Sequence, residues 1–371
     1  MKINSLLLFA VMSVMFCSCS GGGDSAPTAD DAAFIPGGSS YVAYTGRVAK
    51  DDSTARFDWS GVTATVRFRG TQLSMEYADT KSNFFNVWID KAPSAVSDTV
   101  VTTEGCGTLV LASELPEGEH SVTLQKRTEG EQGMVTVKSF STDGEFLEPE
   151  ARKSRRIEFV GDSYTCGFGT EGKKGDLFET STENCNLAYA AIIGRFFDAE
   201  IQTVCHSGRG LVRNYDDGDS PVMSDRYSQM FDEFSTDPYD ASSAGFKADI
   251  VVVYLGTNDF SCGKYPAIEN WCNGFAKLLA SIRANYGEDV PVLCVASRVD
   301  RLLAYFVEEG VKRSGDPKVS WCAIGHDIHN EVSDLGSVDH PNYAGQRKVA
   351  FQMIPYISTL TGWDVPAKPV E

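Results

Sequence analysis

Four short blocks hold residue types that can do chemistry together. The first is Gly161-Asp162-Ser163-Tyr164-Thr165-Cys166-Gly167, straight after an apolar run. A serine at such a strand tip, beside glycine, can expose its hydroxyl while nearby backbone N–H groups stay free, which suits a nucleophile with an oxyanion donor. The same residues also suit a plain turn in which Ser163 caps a helix, and this block alone does not choose. The second block, Ser207-Gly208-Arg209-Gly210, offers a glycine N–H that can approach a developing oxyanion. In the third, Leu255-Gly256-Thr257-Asn258-Asp259, the Asn258 carboxamide can add another hydrogen bond. The fourth, Asp339-His340-Pro341-Asn342, supplies an imidazole.

Elimination among the five histidines favours His340 as the base. His120 lies in a strand-like segment, as a surface or cross-strand residue. His206 follows an apolar strand and fits a structural role beside Gly208. His326 and His329, with Asp327 and Asp334 nearby, read as a polar loop in preference to a metal site. Only His340 combines a strand-end context with a following proline and helix.

The elements that must carry these blocks fall into two halves. From about residue 40 to 146 the apolar pattern has period two. Val62, Ala64, Val66 and Phe68 alternate with Thr63, Thr65, Arg67 and Arg69, and Leu73, Met75 and Tyr77 follow a Gly70-Thr71 turn. Short alternating strands separated by turns predict an antiparallel β-sandwich without helices. A charged connector over 148–156 closes this half. Beyond it, strand candidates at 157–160, 201–205, 250–255, 292–296 and 319–324 alternate with helical stretches at 184–197, 268–286, 302–312 and 343–360. That alternation predicts an α/β domain, a parallel sheet with helices on both faces, whose site lies at the carboxyl ends of its strands. All four blocks fall at such ends.

The first residues are expected to be a targeting segment. Lys2 gives a positive start and residues 6–16 an apolar stretch too short for a permanent bilayer span. Phe16-Cys17-Ser18-Cys19 followed by Ser20 and three glycines resembles a bacterial lipoprotein processing site, with Cys19 as the lipidated residue. The expected organisation is a signal at 1–19, a flexible tether at 20–38, a β-sandwich domain at 39–147 and an α/β domain at 155–362. The chain would then be exported, and would touch the membrane only through its N-terminal lipid.

At 371 residues, with 42% hydrophobic and 23% charged side chains, the composition is that of a globular protein. The formal charge of −18 becomes −19 if residues 1–18, which contain only Lys2, are removed. Such a surface repels nucleic acid and favours neutral or cationic partners. Of the eight remaining cysteines, Cys205 and Cys294 sit in apolar strands and read as buried thiols. Cys166 with Cys185, and Cys262 with Cys272, are the better disulfide candidates. No CxxC pair is present to suggest structural zinc.

The order Gly-Asp-Ser, Ser-Gly-Arg-Gly, Gly-Thr-Asn-Asp, Asp-His-Pro resembles the SGNH (GDSL) hydrolase superfamily, whose hydrolase domain is flavodoxin-like. The resemblance implies Ser163 as nucleophile and His340 as base. It implies an oxyanion hole of Ser163 N–H, Gly208 N–H and the Asn258 side chain. One departure stands out: the aspartate usual three residues before the histidine is Ser337 here. A backbone carbonyl such as that of Ser337, or the carboxylates of Asp339 or Asp334, are the candidates to orient the imidazole, since fixing its tautomer needs only an acceptor.

The whole chain is similar to carbohydrate esterase family 2, which joins a small jelly-roll-like sandwich to an SGNH domain and often lacks the acidic triad member. Tyr44-Thr-Gly-Arg47, Phe57-Asp-Trp-Ser-Gly61, Phe68-Arg-Gly-Thr71, Gly118-Glu-His120 and Lys126-Arg-Thr-Glu129 carry that likeness in the first half. Ser207 to Tyr215 and Gly256 to Phe260 carry it in the second. It implies removal of acetyl groups from xylan, glucomannan or a related polysaccharide by a monomer that needs no metal or organic cofactor. It also offers Tyr215, Phe260, Tyr265 and Trp271 as faces for sugar stacking. Rival expectations are a lipase, thioesterase or acyltransferase on the same fold, or a lipoprotein that binds glycan without turnover. The sandwich is expected to buttress the catalytic loops more than to bind glycan.

Overall fold

The computed structural model describes residues 32–218 and 220–371, so the targeting segment and Cys19 lie outside the described residues. Among the described residues, no helix is long and apolar enough to cross a membrane.

The second half forms the α/β layer structure. Five parallel strands lie in the order Glu200–Cys205, Arg156–Gly161, Ile250–Tyr254, Val292–Ala296, Val319–Ala323. Numbered along the chain this is 2-1-3-4-5, a doubly wound order whose switch point lies beside the first strand. Both sheet faces are covered because alternate strand residues are apolar in both directions. Ile157, Phe159, Ile250 and Val252 pack with Ile192, Ile193, Val349 and Met353, which lie on the helices Tyr189–Phe197 and Tyr343–Thr361. Val160, Val251 and Val253 pack with Phe275, Leu278 and Leu303 on the helices Ile268–Tyr286 and Arg301–Ser314. The helix expected from residue 184 begins later, after a 3₁₀ turn at Cys185–Leu187.

The first half is an antiparallel sheet. Ten strands form one hydrogen-bonded assembly, with Leu73–Ile89 pairing to three neighbours, Thr99–Ala112, Gly118–Lys126 and Val135–Thr142. Its alternation is the expected one: Ala64, Val66 and Phe68 are buried, while Thr63, Thr65, Arg67 and Arg69 reach toward solvent. Two details differ. Ala33–Pro36 is a strand paired with Val135–Thr142, so the sheet starts inside the segment expected as tether. A single 3₁₀ turn, Gly130–Gln132, interrupts a region expected to lack helix.

The motif residues of the first half meet the second half. Arg47 is fully buried; its guanidinium donates to the Tyr227 and Gln229 carbonyls at 2.5 and 2.6 Å and lies 3.4 Å from the Glu158 carboxylate. Asp58 accepts the N–H groups of Asp232 and Glu233 at 2.8 and 3.0 Å, and the Trp59 indole donates to Met230 at 2.9 Å. The core of the first half is continuous with one face of the parallel sheet. His120, as expected, is a cross-strand residue, 2.7 Å from Asp90.

Neither expected cysteine pair is a disulfide. All eight described cysteines are free thiols. Cys166 faces the Glu129 carboxylate at 3.6 Å, and the Cys185 thiol faces the Lys126 carbonyl at 3.2 Å. Cys262 is exposed in a loop while Cys272 is buried on its helix. Cys205 and Cys294 are buried strand thiols, as expected.

Candidate active site

Ser163 opens a four-residue helix, Ser163–Cys166, directly after the central strand. Asp162 caps that helix by accepting the Tyr164 N–H at 3.1 Å, and the Ser163 N–H has no acceptor among the described residues, as helix starts often leave theirs. Asp162 is itself buried, and burial pushes its carboxyl up to about 7.

The His340 ring meets the serine. Its Nε2 lies 2.8 Å from Ser163 Oγ, and its Nδ1 lies 3.0 Å from the Val338 carbonyl. With Nδ1 donating to that carbonyl, Nε2 carries the lone pair that faces the hydroxyl. Phe168 packs against the imidazole with ring centroids 4.7 Å apart, and Tyr164 meets it edge-on at 5.6 Å. Burial holds the His340 pKa below the ordinary histidine value, although the Val338 carbonyl and the Asp339 charge pull the other way.

Neither the Ser337 carbonyl nor the carboxylates of Asp334 and Asp339 perform that task. The Ser337 carbonyl accepts the His340 backbone N–H at 3.1 Å, not the ring. Asp334 spends its carboxylate on the Asn330 N–H, the Ser333 hydroxyl and the Lys348 ammonium. Asp339 is exposed, and its charge acts on the ring without a hydrogen bond to it among the described residues. A backbone carbonyl does hold the ring, as expected, but it is that of Val338, a residue the sequence did not single out. Val338 has φ 52° and ψ 39°, left-handed backbone that a β-branched residue rarely adopts, and Asp339 follows with φ 56°. That turn is what aims the carbonyl at the ring.

The strand register brings the other two blocks alongside. Gly161 pairs with Cys205 on one side and Tyr254 on the other, so Gly208 and Asn258 emerge next to Ser163. Gly208 has φ +77°, open to glycine at no steric cost, and its N–H has no acceptor among the described residues. One Asn258 amide hydrogen is held by the Arg209 carbonyl at 2.9 Å. The second has no acceptor among the described residues. Asp259 fixes the intervening loop by accepting the N–H groups of Leu211, Val212 and Arg213 at 2.8, 2.8 and 2.9 Å. Burial pushes the Asp259 carboxyl up to about 6, with those three N–H groups opposing it.

The four expected stacking aromatics divide in two. Tyr215 and Tyr265 are 59% and 55% exposed. Tyr215 stands over Gly208, where an added Cβ would lie 3.9 Å from the tyrosine Cβ. Phe260 and Trp271 are core residues, 7% and 2% exposed, packed on Phe306. Trp271 sits so close beneath Gly256 that a Cβ there would collide with it and with Leu303. Neither can offer a face to a sugar. His206 is buried with Nδ1 2.6 Å from Asp232. His326 and His329 serve separate backbone carbonyls, of Arg298 at 2.6 Å and Gly345 at 3.3 Å.

A serine–histidine pair at the strand tips of a doubly wound sheet, with free N–H groups beside it, defines a GDSL-type hydrolase. Residues 159–348 match the GDSL-like lipase/acylhydrolase family, and residues 44–149 match the carbohydrate esterase 2 N-terminal domain. Among curated proteins, a cellulase/esterase of Acetivibrio thermocellus is 30% identical over 87% of this chain, which spans 40% of that protein's length. An acetylxylan esterase/glucomannan deacetylase of Cellvibrio japonicus is 25% identical, covering 84% of this chain and 87% of the relative. A family two carbohydrate esterase from Clostridium thermocellum, solved in complex with cellohexaose, superposes with a TM-score of 0.80 at 30% identity, over 87% of this chain and all of the other. The chain belongs to carbohydrate esterase family 2.

Proposed function

We propose that the protein is a serine esterase that removes O-acetyl groups from plant polysaccharide such as xylan or glucomannan. The observation that carries this is the 2.8 Å contact of Ser163 Oγ with His340 Nε2, set beside the unused N–H groups of Ser163 and Gly208. His340 takes the hydroxyl proton as Ser163 Oγ attacks the acetyl carbonyl carbon. The carbonyl oxygen becomes an oxyanion held by the Ser163 and Gly208 N–H groups and the Asn258 amide. As the C–O bond to the sugar breaks, His340 returns the proton to the leaving alcohol. Water, deprotonated by the same imidazole, then attacks the acetyl-serine and releases acetate. The Val338 carbonyl holds the imidazole in the working tautomer.

The substrate class rests on the family and on the relatives' names, with the exposed Tyr215, close to Gly208, and the exposed Tyr265 as aromatic faces for a sugar. The antiparallel half, curled as a sandwich, braces this site in a monomer. A lipid on Cys19 would anchor the exported chain, and labelling with radioactive palmitate that Cys19→Ala abolishes is the check.

Acetate release from acetylated xylan and glucomannan tests the activity. Wild type is expected to release it, while Ser163→Ala and His340→Ala each lose nearly all turnover because the two act as a unit. Asn258→Ala is expected to cost roughly 10²–10³ in kcat. An acyl series from acetate to octanoate should fall with length; a preference for octanoate would point to a lipase. No release from either polymer or from an aryl acetate would defeat the esterase reading.

A further inference from the structure

The underside of the site is built by the other half of the chain. Glu129 lies in the loop after Gly118–Lys126, is about 1% exposed, and reaches under the catalytic turn. A single oxygen of its carboxylate, Oε2, accepts the Ser207 N–H at 2.6 Å and faces the Cys166 thiol at 3.6 Å. Ser207 immediately precedes Gly208. Cys166 belongs to the short helix that Ser163 opens. The two segments that carry the proposed backbone donors are therefore tied to the same oxygen atom, one through the Ser207 N–H and the other through the Cys166 thiol.

The rest of the neighbourhood keeps that oxygen in place. The Glu129 N–H donates to Glu183 Oε1 at 2.9 Å, and its carbonyl accepts the buried Lys126 ammonium at 2.9 Å. His206, in the same turn, lies 4.0 Å from Glu129 and 2.6 Å from Asp232. Asp232 and Glu233 are held in turn by Asp58 through their N–H groups, and Glu233 pairs with the Arg209 guanidinium. Residues 206–209 are thus fixed from the first half by two routes, one direct through Glu129 and one relayed through Asp58.

We propose that Glu129 is a positioning residue of the deacetylation reaction, whose carboxylate oxygen sets the separation of the Ser163 and Gly208 N–H groups. The inference rests on those groups being the oxyanion donors. It gives the antiparallel half a part in turnover beyond bracing. Backbone donors act on charge that appears only in the transition state, so their misplacement should lower kcat and spare KM. A shift of about 1 Å can cost on the order of a hundredfold.

The test is kcat, KM and Tm of the full chain on 4-nitrophenyl acetate and acetylated xylan, for wild type, Glu129→Ala, Glu129→Gln, Glu129→Asp and Asn86→Ala. Glu129→Ala should lower kcat about ten- to a hundredfold with KM within about twofold. Glu129→Gln keeps an oxygen at the same reach and should return kcat to within about threefold of wild type. Glu129→Asp keeps the charge but withdraws the oxygen by one methylene, and should stay at least about fivefold down. Asn86 donates to Asn184 across the same interface at 3.1 Å without touching the turn. Asn86→Ala should lower Tm and leave kcat unchanged.

Wild-type kcat in folded Glu129→Ala would overturn the proposal. So would an equal kcat loss in Asn86→Ala, which would mean that any loosening of the interface suffices. If Glu129→Ala does not fold, the Gln and Asp variants decide: Asp above Gln would show that charge matters and reach does not. A wild-type chain inactive on both esters would instead defeat the esterase reading itself.

Discussion

The two loops that frame Ser163 are held in opposite ways. Residues 206–213 are gripped by carboxylates: Glu129 on the Ser207 N–H, Asp232 on the His206 ring, Glu233 on Arg209, and Asp259 on three successive N–H groups. The loop that carries His340 has no carboxylate on its ring and relies on the Val338 carbonyl. The two histidines record the contrast. Burial alone would push His206 down, but Asp232 outweighs it and holds the pKa up at about 9. His340, facing no carboxylate bond, is pushed below the ordinary value by burial. Fixed charge is spent where donors must stay still, and kept away from the imidazole that must gain and lose a proton near neutral pH.

If that division is right, the largest effect beyond the serine–histidine pair comes from Asp259→Ala. Three N–H groups lose their acceptor at once, and each buried unpaired donor costs about 1–3 kcal/mol. The 208–213 loop should lose its shape, with kcat down by roughly 10²–10³, as for loss of an oxyanion donor, and a lower Tm. Steady-state kinetics and calorimetry check both. Near-wild-type kcat would show that Asp259 is not what holds the donors.

The next effects are set by pH and separate the two histidines. A raised pKa means that the folded state holds the proton more tightly, so His206 contributes stability below pH about 6.5 that is lost as pH rises through about 9. The shift corresponds to about 3 kcal/mol. Tm should fall between pH 7 and 10, a fall that His206→Gln flattens. The groups facing His206 are Asp232, Glu129, Glu233 and Arg209. His340 works as a base only when neutral, so kcat/KM should rise with pH through a midpoint below the ordinary histidine value of about 6.5. A midpoint above 7 would imply that a carboxylate supports the ring after all.

Three of the four chemical blocks were legible because each directly follows a buried strand, and the parallel register then aligns their ends; the His340 block was expected at a strand end too, but it lies well past Val319–Ala323, after the turn Ser337–Asp339. The helix Ile268–Tyr286 was legible in full from its spacing, and that spacing also held an overlooked signal. Trp271 shares a face with Phe275, Leu278 and Ile282, so it belonged to the buried stripe and not to the sugar. Tyr215 and Tyr265 lie in loops, where exposure is the default. Two features had no signature. A backbone carbonyl leaves no trace in residue type, and valine argues against the left-handed turn that Val338 adopts. The role of Glu129 had none either: its block carries the family likeness, but nothing in it points to Ser207, 78 residues on, until the fold sets the two side by side. The early strand Ala33–Pro36 was hidden by its length and its proline.

The smallest predicted effect probes the uncharged loop directly. Val338 is 50% exposed, so truncating its side chain gives up little packing. Its left-handed backbone costs on the order of 1–3 kcal/mol, which glycine would relieve, against about 0.5–1 kcal/mol for the freer unfolded chain. The carbonyl itself survives the change, and its turn stays pinned by the Val338 N–H donating to the Asp176 carbonyl at 3.0 Å and the Ser337 N–H to Gly169 at 3.1 Å. Val338→Gly should therefore hold or slightly raise Tm and leave kcat within about threefold. A tenfold fall in kcat with Tm intact would mean that those two hydrogen bonds do not suffice. The valine's stiffness would then be what keeps the acceptor on His340, doing for this loop what carboxylates do for the other.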